Sequence, residues 1–202
     1  MSRTYSSELR TARARANRHL VVDTARRMFI EEGWTATTMA KVATTSGLTR
    51  QTVYQQFDSK LSLLDACIDH ALSDGREVPV REMPEYQQMG KGDRGSRIAA
   101  GARWLSGAHE RSAEIQNVLD QAAVTDKQAA ARLAIREHTR WAEVEWATSL
   151  ILGRGPTEEV VDGMWALTSR RLWLMVVRDR GWSAERWRLW FVAQTEAMLA
   201  PH

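Results

Sequence analysis

The chain contains 202 residues, 44% of them hydrophobic and 26% charged, which is typical of a soluble globular protein with one or two domains. No apolar run reaches the ~18 residues of a membrane-spanning helix, and the Arg-rich N-terminus lacks the apolar core of a secretory signal. Residues 1–60 carry a net charge of +5, whereas residues 61–202 carry −2. The basic excess therefore lies in the N-terminal part, as in a nucleic-acid-binding domain joined to a neutral partner domain.

The first 17 residues are polar and basic, and they are predicted to form a flexible arm. A second hypothesis, compatible with the first, is that this arm follows the DNA backbone or enters the minor groove. Its basic residues are Arg3, Arg10, Arg13 and Arg15. Residues 18–32 then repeat apolar side chains at helical spacing, which predicts a helix with one buried face that ends at Gly33.

Residues 37–60, TTMAKVATTSGLTRQTVYQQFDSK, have the pattern of a helix-turn-helix. Thr38 and Thr49 can each cap a short helix with their hydroxyls. Gly47 lies between these helices, where a helix end needs a left-handed residue without a Cβ clash. The second helix, Arg50–Gln56, is therefore predicted to be the recognition helix that enters the DNA major groove.

The pattern is more specific than a helix-turn-helix alone. It reads Ala-x3-Gly-Leu-Thr-x2-Thr-Val-Tyr-x2-Phe-x-Ser-Lys from Ala43 to Lys60, after a glycine–aromatic pair and a Thr-Thr-Met triplet. Over about residues 18–64 the sequence resembles the DNA-binding domain of the TetR family of transcriptional regulators. The combination of Tyr54, Phe57 and Lys60 carries most of this resemblance. It implies that a helical ligand-binding and dimerisation domain follows.

The recognition helix is predicted to bury its apolar side chains and to leave its polar ones free. Arginine can hold guanine through O6 and N7, and glutamine can hold adenine through N6 and N7, so Arg50, Gln51 and Gln56 are the first candidates for base reading. The resemblance implies a phosphate contact for Tyr54, and threonines at helix N-termini can also reach phosphates. The predicted DNA-binding residues are Thr38, Lys41, Thr49, Arg50, Gln51, Thr52, Tyr54, Gln55, Gln56 and Lys60.

Residues 58–74 are predicted to form a linking helix, which in a TetR-like protein carries the ligand signal to the DNA. Residues 75–95 contain two prolines and four glycines and are predicted to be a loop. The end of this loop, Gly90–Ser96, lacks the order of a phosphate-binding loop and follows no strand. Further helices are predicted over residues 96–124 (as two short helices), 126–152, 157–180 and 183–199.

The last two predicted helices are apolar over too wide an arc for surface helices with a single neighbour. Such stripes on two antiparallel helices predict a four-helix bundle with a second copy of the chain. The resemblance implies the same homodimer. The predicted interface residues are Val161, Trp165, Thr168, Leu172, Met175, Trp187, Trp190, Phe191, Gln194 and Met198.

The chain contains nine tryptophans, several on helices predicted to surround the centre of the second domain. One interpretation is core and dimer packing. The other is a pocket for an aromatic or apolar small molecule, which the resemblance favours because TetR-like regulators bind small molecules in this domain. A cationic aromatic ligand is a further hypothesis if Glu143 or Glu145 lines the pocket. The predicted pocket residues are Trp104, His109, Gln116, Asn117, His138, Trp141, Glu145 and Trp165.

The sequence predicts neither catalysis nor a metal site. Cys67 and His70 share a helix face without a third ligand nearby, and the motifs of nucleotide-binding, nucleophilic and metal-dependent enzymes are missing. A single cysteine rules out an intrachain disulfide and is typical of a cytoplasmic protein. We therefore predict a cytoplasmic protein that is not an enzyme and has no cofactor and no metal.

These patterns together predict an all-α protein, since few prolines and many Ala, Arg, Leu and Glu favour helix. Its predicted parts are a flexible basic arm (1–17), a helix-turn-helix DNA-binding domain (18–64) and a C-terminal ligand-binding and dimerisation domain (65–202). The predicted function is a transcriptional regulator that binds a palindromic site on double-stranded DNA as a homodimer and is released by a small-molecule effector. The resemblance implies repression, with activation as the alternative, and the rival hypothesis is a regulator without a small-molecule effector.

Overall fold

The structure is a computed structural model that describes the backbone of residues 2–200 and the side chains of residues 10–200. Within those residues the chain consists of helices joined by turns, without a strand, which confirms the all-α prediction. None of the described helices has both the length and the apolar character needed to cross a bilayer. The α-helices are α1 (Ser2–Ala36), α2 (Met39–Thr45), α3 (Arg50–Gln56), α4 (Lys60–Leu72), α5 (Pro84–Gln87), α6 (Arg94–Ala122), α7 (Lys127–Leu152), α8 (Glu158–Leu167), α9 (Arg170–Trp173) and α10 (Ala184–Met198).

The first helix is longer than the sequence predicted. α1 begins at Ser2, so the segment predicted as a flexible arm continues the helix, apart from Met1, which lies outside the described residues. Two features explain this correction: the segment is rich in Ala and Arg, which favour helix, and Gln56 Nε2 donates to the Ala14 carbonyl at 3.4 Å. At Gly33 the backbone leaves helical geometry with a φ of 81°, in agreement with the predicted helix end.

The helices α2 and α3 form the predicted helix-turn-helix. The Thr38 hydroxyl accepts from the Lys41 N–H at 3.2 Å, and the Thr49 hydroxyl accepts from the Thr52 N–H at 3.1 Å. Gly47 lies in the turn with a φ of 69°, which glycine adopts without a Cβ clash. The capping residues and the turn glycine thus confirm the local pattern of the sequence.

The apolar core around α1–α3 continues through α4 into the middle of the chain. Buried side chains of α1 to α4 belong to one cluster with Ile115 and Leu119 of α6 and Ala129 of α7. Cys67 lies in this cluster and is fully buried. The first three helices are therefore packed onto the C-terminal half through α4 and α6, across the boundary predicted at residue 65.

The structure has one long helix, α6, where the sequence predicted two short helices over residues 96–124. Gly107 lies inside this helix and does not interrupt it. A glycine inside a helix costs ~1 kcal/mol relative to alanine. Because α6 packs against α1, α4, α7 and α10, its burial outweighs that cost.

The helix predicted over residues 157–180 is divided into α8, α9 and a π-helical segment, Leu174–Asp179. Ser169 is extended and caps α9, with its hydroxyl accepting from the Arg171 N–H at 3.2 Å. Serine and threonine hydroxyls compete with helical hydrogen bonds in this way. The new helix start brings Arg170 into the protein interior, where its side chain is 6% exposed. α7 and α10 agree with their predicted helices, and short helical turns interrupt the predicted loop 75–95.

Candidate nucleic-acid interface and effector pocket

The recognition helix α3 has one buried and one exposed side. Val53 is fully buried and Phe57, just beyond the helix end, is 3% exposed. Arg50, Gln51 and Gln55 are exposed on the opposite side. This arrangement leaves a face of arginine and glutamine groups free to meet base edges.

The residues around this face include hydroxyls and one tyrosine. Tyr54 is 52% exposed. Thr38 and Thr49 are exposed while their oxygens cap α2 and α3, and the Thr49 and Thr52 hydroxyls lie 2.9 Å apart. Lys41 is exposed, and its Nζ donates to Glu32 at 2.8 Å. These predicted DNA-binding residues are therefore at the surface of the helix-turn-helix.

Two other predicted DNA-binding residues are engaged inside the protein. Lys60 Nζ donates to the Trp34 carbonyl at 2.7 Å and lies 3.9 Å from the centre of the Trp34 ring, and burial lowers the pKa of Lys60. Gln56 is half-buried and bonds Ala14. Both side chains hold neighbouring helices in place, so reading DNA would require them to leave these partners.

A contact that the sequence did not predict joins α1 to the end of α3. Arg18 Nη1 donates to the Gln56 carbonyl at 3.2 Å, and its guanidinium lies 4.4 Å from the centre of the Phe57 ring. This contact places the basic N-terminal half of α1 beside the recognition helix. Arg18 belongs to the helix predicted over residues 18–32, but its partner Gln56 is 38 residues away, so no local pattern indicated the contact.

Helices of the predicted C-terminal domain, which begins within α4, surround a pocket of about 460 Å³. This volume is within the ~300–1,000 Å³ range of small-molecule sites. α4, α6, α7 and α8 contribute to its wall, together with the turns before α6. The apolar part of the wall includes Tyr86, Met89, Trp104, Leu105, Ala108, Val144, Ala147, Ile151, Met164 and Phe191.

The pocket wall also carries polar groups without partners. His109 is buried, and its Nε2 has no hydrogen-bond partner among the described residues. Burial lowers the pKa of His109 to about 3, against the opposing effect of a hydrogen bond to the Thr168 backbone. The imidazole is therefore neutral, and Nε2 is an acceptor if Nδ1 donates to Thr168. The Nε1 of Trp104 is likewise buried without an acceptor in that part of the chain.

Charged groups form a second part of the wall, at the end near α4. Arg136 donates to Asp65 at 3.3 Å and to Asp69 at 2.7 Å. Arg132 Nε lies 3.2 Å from the Asp65 carboxylate. Burial raises the pKa of Asp65, although both arginines oppose that shift. These ion pairs connect α7 directly to the linking helix α4.

A buried ion network continues this charged region. Arg170 donates to Asp120 at 2.6 Å and also pairs with Glu137. Burial tends to raise the pKa of Glu137, but the nearby Arg170 and Arg140 hold it below its usual value. This network ties α6, α7 and α9 together. A signal for it existed in the sequence, since arginines recur every four residues at 132, 136 and 140.

A family of known proteins shares the helix-turn-helix segment of this chain. The sequence model of the bacterial regulatory proteins of the tetR family matches residues 21–67, the segment that contains the helix-turn-helix. Residues 21–67 are a DNA-binding domain of the TetR family. The chain is thus a DNA-binding transcriptional regulator, as the helix-turn-helix indicated. No curated protein sequence matches the chain significantly.

Solved structures share the fold of this chain. One is a TetR-family transcriptional regulator from Rhodococcus sp., with 16% sequence identity and a TM-score of 0.66, covering 92% of this chain and 100% of its own. Another is a transcriptional regulator from Rhodococcus sp. Rha1, with 13% identity and a TM-score of 0.62, covering 90% of this chain and 95% of its own. Both likenesses extend over nearly the whole chain, so the C-terminal domain shares its fold with them as well.

The fold places only some of the predicted pocket residues in the pocket wall. Trp104, His109 and Gln116 line it, whereas the other predicted residues do not. Trp141 Nε1 donates to Asp162 at 2.8 Å, and Trp165 stacks against Arg140 at 4.5 Å. The remaining residues, outside the wall, are Asn117, which is half-buried, and the exposed His138 and Glu145.

The predicted dimer residues also divide into two groups. Val161, Trp187 and Phe191 are at most 3% exposed, because they fill the core of their own chain, and they cannot meet a partner. Thr168 bonds Arg140 at the pocket. The residues that reach the surface in part or fully are Trp165, Leu172, Met175, Trp190, Gln194 and Met198. Leu189, which is not among the predicted interface residues, is 69% exposed on α10.

A metal site is not formed by the side chains of residues 10–200, where no group of three or more metal-binding residues comes together. Cys67 and His70, the pair noted in the sequence, differ in their surroundings. The Cys67 Sγ lies 3.5 Å from the Val22 carbonyl in the core, whereas His70 Nε2 lies 3.7 Å from Asp23 near the surface.

Proposed function

We propose that this TetR-family regulator is a ligand-responsive repressor in the cytoplasm that holds a palindromic operator as a homodimer. A small molecule in the 460 Å³ pocket lowers its affinity for the operator and releases it. The observation that carries the proposal is that the pocket wall includes Asp69 and Leu72 of α4. The helix that follows the recognition helix is therefore part of the ligand site. No catalytic step is proposed.

DNA reading is assigned to the open face of α3. Arg50, Gln51 and Gln55 are exposed there, and a row of hydroxyls and Tyr54 stands beside them for phosphates. The N-terminal half of α1, held against α3 by Arg18, adds positive charge next to this face. We assign it to the DNA backbone, where neutralising phosphates contributes much of the affinity.

Dimerisation is assigned to the surface of α10 and the π-helical segment before it. Met175 and Leu189 are 51% and 69% exposed there, and half-buried Trp182 and Trp190 accompany them. Large apolar side chains of this kind mark an interface rather than a solvated surface. A two-fold dimer would present two recognition helices to successive major grooves, ~34 Å apart.

The rival hypothesis is a DNA-binding regulator without a small-molecule effector. A closed and fully packed C-terminal domain would favour that rival. The pocket and its unpaired polar groups favour a ligand instead, because buried polar atoms without partners cost ~1–3 kcal/mol each unless something binds them.

The proposal is tested by selecting bound sequences from a random DNA pool, with the purified protein. A palindromic consensus is expected. A flat selection without any preferred sequence would refute the proposed regulator. A palindrome that no small molecule releases would favour the rival without an effector.

The role of Arg50 is tested on the selected operator. Arg50→Ala should weaken binding by ~1–3 kcal/mol and relax specificity at one base pair, because a bidentate contact to guanine is lost. The exposed Arg154, in the turn after α7, provides the control, and Arg154→Ala should leave binding unchanged. Equal weakening on all sequences would show that Arg50 meets a phosphate.

A further inference from the structure

We infer that the effector is an amphipathic anion whose acid group takes Arg132 and Arg136 away from Asp65 and Asp69 on α4. The inference rests on the proposed ligand-responsive function and specifies its ligand class and its switch. Three observations support it. Ion pairs in the pocket wall join α7 to α4, the N–H groups of Arg132 donate no hydrogen bond among the described residues, and the carboxylates of the wall are already paired with arginines.

The ion pairs place the linking helix under the control of the pocket wall. Arg136 holds Asp65 and Asp69 at 3.3 and 2.7 Å, and Arg132 approaches Asp65 at 3.2 Å. Both arginines and Asp69 line the pocket. A bound molecule therefore touches the groups that connect α7 to α4.

Arg132 has binding capacity that the protein does not use. Its guanidinium makes no hydrogen bond within the described part of the chain, although its Nε lies near Asp65. Its side chain is 45% exposed. A planar guanidinium in this state matches a carboxylate or phosphate group in a bidentate geometry.

The carboxylates in the same wall already have partners. Glu143 accepts from Arg81 Nε at 2.9 Å, and Glu137 pairs with Arg140 and Arg170. A cationic ligand would have to displace these arginines and approach Arg132. The hypothesis of a cationic aromatic ligand is therefore disfavoured, although Glu143 does line the pocket.

The apolar part of the wall determines the chemistry of the ligand beyond its acid group. Trp104, Val144 and Ile151 belong to it, so the ligand's body is hydrophobic while its acid group lies at the α4 end. An acid that binds both arginines leaves Asp65 and Asp69 without counter-ions. The ion pairs that tie α4 to α7 are then broken, and α4 is free to shift relative to α7. α4 begins four residues after the end of α3, so its movement changes the position of the recognition helix.

The ligand class is tested with probes that share one apolar body and differ in the head group. We would titrate the full-length protein with 2-naphthoate, 2-naphthamide and 2-naphthylmethylammonium and follow tryptophan fluorescence and thermal unfolding. The carboxylate is expected to bind at least ~10-fold more tightly than the amide, because hydrogen bonds to an ionised acceptor are roughly twice as strong as neutral ones. The preference for the carboxylate over the amide should disappear in Arg132→Gln and in Arg132→Gln/Arg136→Gln. Arg154→Gln, which changes an exposed arginine away from the pocket, should retain it.

The switch is tested without any ligand, on the operator found by selection. Asp65→Asn/Asp69→Asn removes the charges that the arginines hold, and operator affinity should fall ~5-fold or more, the size of an ordinary allosteric coupling. Asp69→Asn alone, a milder change, should give part of that loss and a weaker response to 2-naphthoate. The control is Asp74→Asn, because Asp74 pairs with Arg111 at 3.4 Å just after α4 and does not line this pocket.

These outcomes separate the inference from the function on which it rests. Equal binding of amide and carboxylate, preference for the ammonium probe or no binding of any probe overturns the anionic ligand and leaves a selected operator intact. Unchanged operator affinity in both aspartate variants overturns the switch. A flat DNA selection refutes the regulator itself, while the head-group preference is measured without DNA.

Discussion

The core around the recognition helix and the pocket region of the C-terminal domain use burial in opposite ways. In the first, fully buried side chains such as Val21, Phe29 and Val53 are apolar. In the second, the wall holds a neutral histidine and a buried arginine network. Among the described residues, two buried polar atoms without a partner, Trp104 Nε1 and His109 Nε2, belong to residues that line the pocket. One region is built to hold a fixed shape, whereas the other keeps hydrogen-bonding capacity that a ligand can use.

The junction between the two regions combines both kinds of contact. Apolar side chains of α4 and α6 form one continuous core, which fixes how the helices lie together. The ion pairs of Arg136 with Asp65 and Asp69 lie at the edge of this core, on the pocket. Apolar burial is insensitive to small charged molecules, but ion pairs can exchange partners. The contacts of the junction that a charged ligand can change therefore lie at the pocket.

The strongest test of this comparison removes the buried arginine of the pocket region. Arg170→Ala should reduce the free energy of unfolding by ~3–5 kcal/mol, because it leaves the carboxylates of Asp120 and Glu137 partly buried without that partner. Urea unfolding measures the change. Arg76→Ala is the control, since Arg76 pairs with the exposed Glu85 at 3.1 Å, and its loss should cost less than ~1 kcal/mol. A small effect of Arg170→Ala would show that the network is not structural.

A second test compares the same substitution in the two regions. Ala43 of α2 is 1% exposed in the DNA-binding core, and Ala43→Leu should destabilise the protein by ~1–3 kcal/mol through overpacking. Ala147 of α7 lines the pocket, where space exists for the added carbons. Ala147→Leu should therefore cost less than ~1 kcal/mol and weaken binding of the effector. Equal losses of stability would contradict the difference in packing between the regions.

The DNA-binding region was predictable because local rules determine it. Thr38, Gly47 and Thr49 each specify their own conformation within a few residues. The buried and exposed sides of α3 follow from a helical repeat that needs no knowledge of distant residues. The exceptions were Gln56 and Lys60, whose partners Ala14 and Trp34 lie 42 and 26 residues away.

The pocket was less predictable because distant pairs define it. Asp65 and Arg136 are 71 residues apart, and Asp120 and Arg170 are 50 apart. Helical periodicity identifies the apolar face of a helix but not the neighbour that this face contacts. Trp187 was therefore predicted to lie in the dimer interface, whereas it is buried in the core of its own chain. Three of the eight predicted pocket residues do line the pocket, and all three belong to α6: Trp104, His109 and Gln116. The break at Ser169 also depends on the buried network that receives Arg170.

The third test uses pH to probe the buried histidine of the pocket wall. Burial lowers the pKa of His109 from 6.5 to about 3, so the unfolded chain binds a proton at this residue that the folded chain excludes. Its contribution to stability is complete above pH 6.5 and is lost progressively as the pH falls towards 3. Between pH 7.5 and 5.5 the free energy of unfolding should fall by ~1.4 kcal/mol from this residue alone.

The measurement is urea unfolding at both pH values for the wild type, His109→Gln and His138→Gln. His109→Gln should remove this part of the pH dependence, because glutamine does not titrate. His138 is exposed on α7, and its substitution should retain the pH dependence of the wild type. The pocket region would then respond to acid through a group that the apolar DNA-binding core lacks. An unchanged slope in His109→Gln would mean that the imidazole is not excluded from water, and the contrast between the two regions would be weaker than the structure indicates.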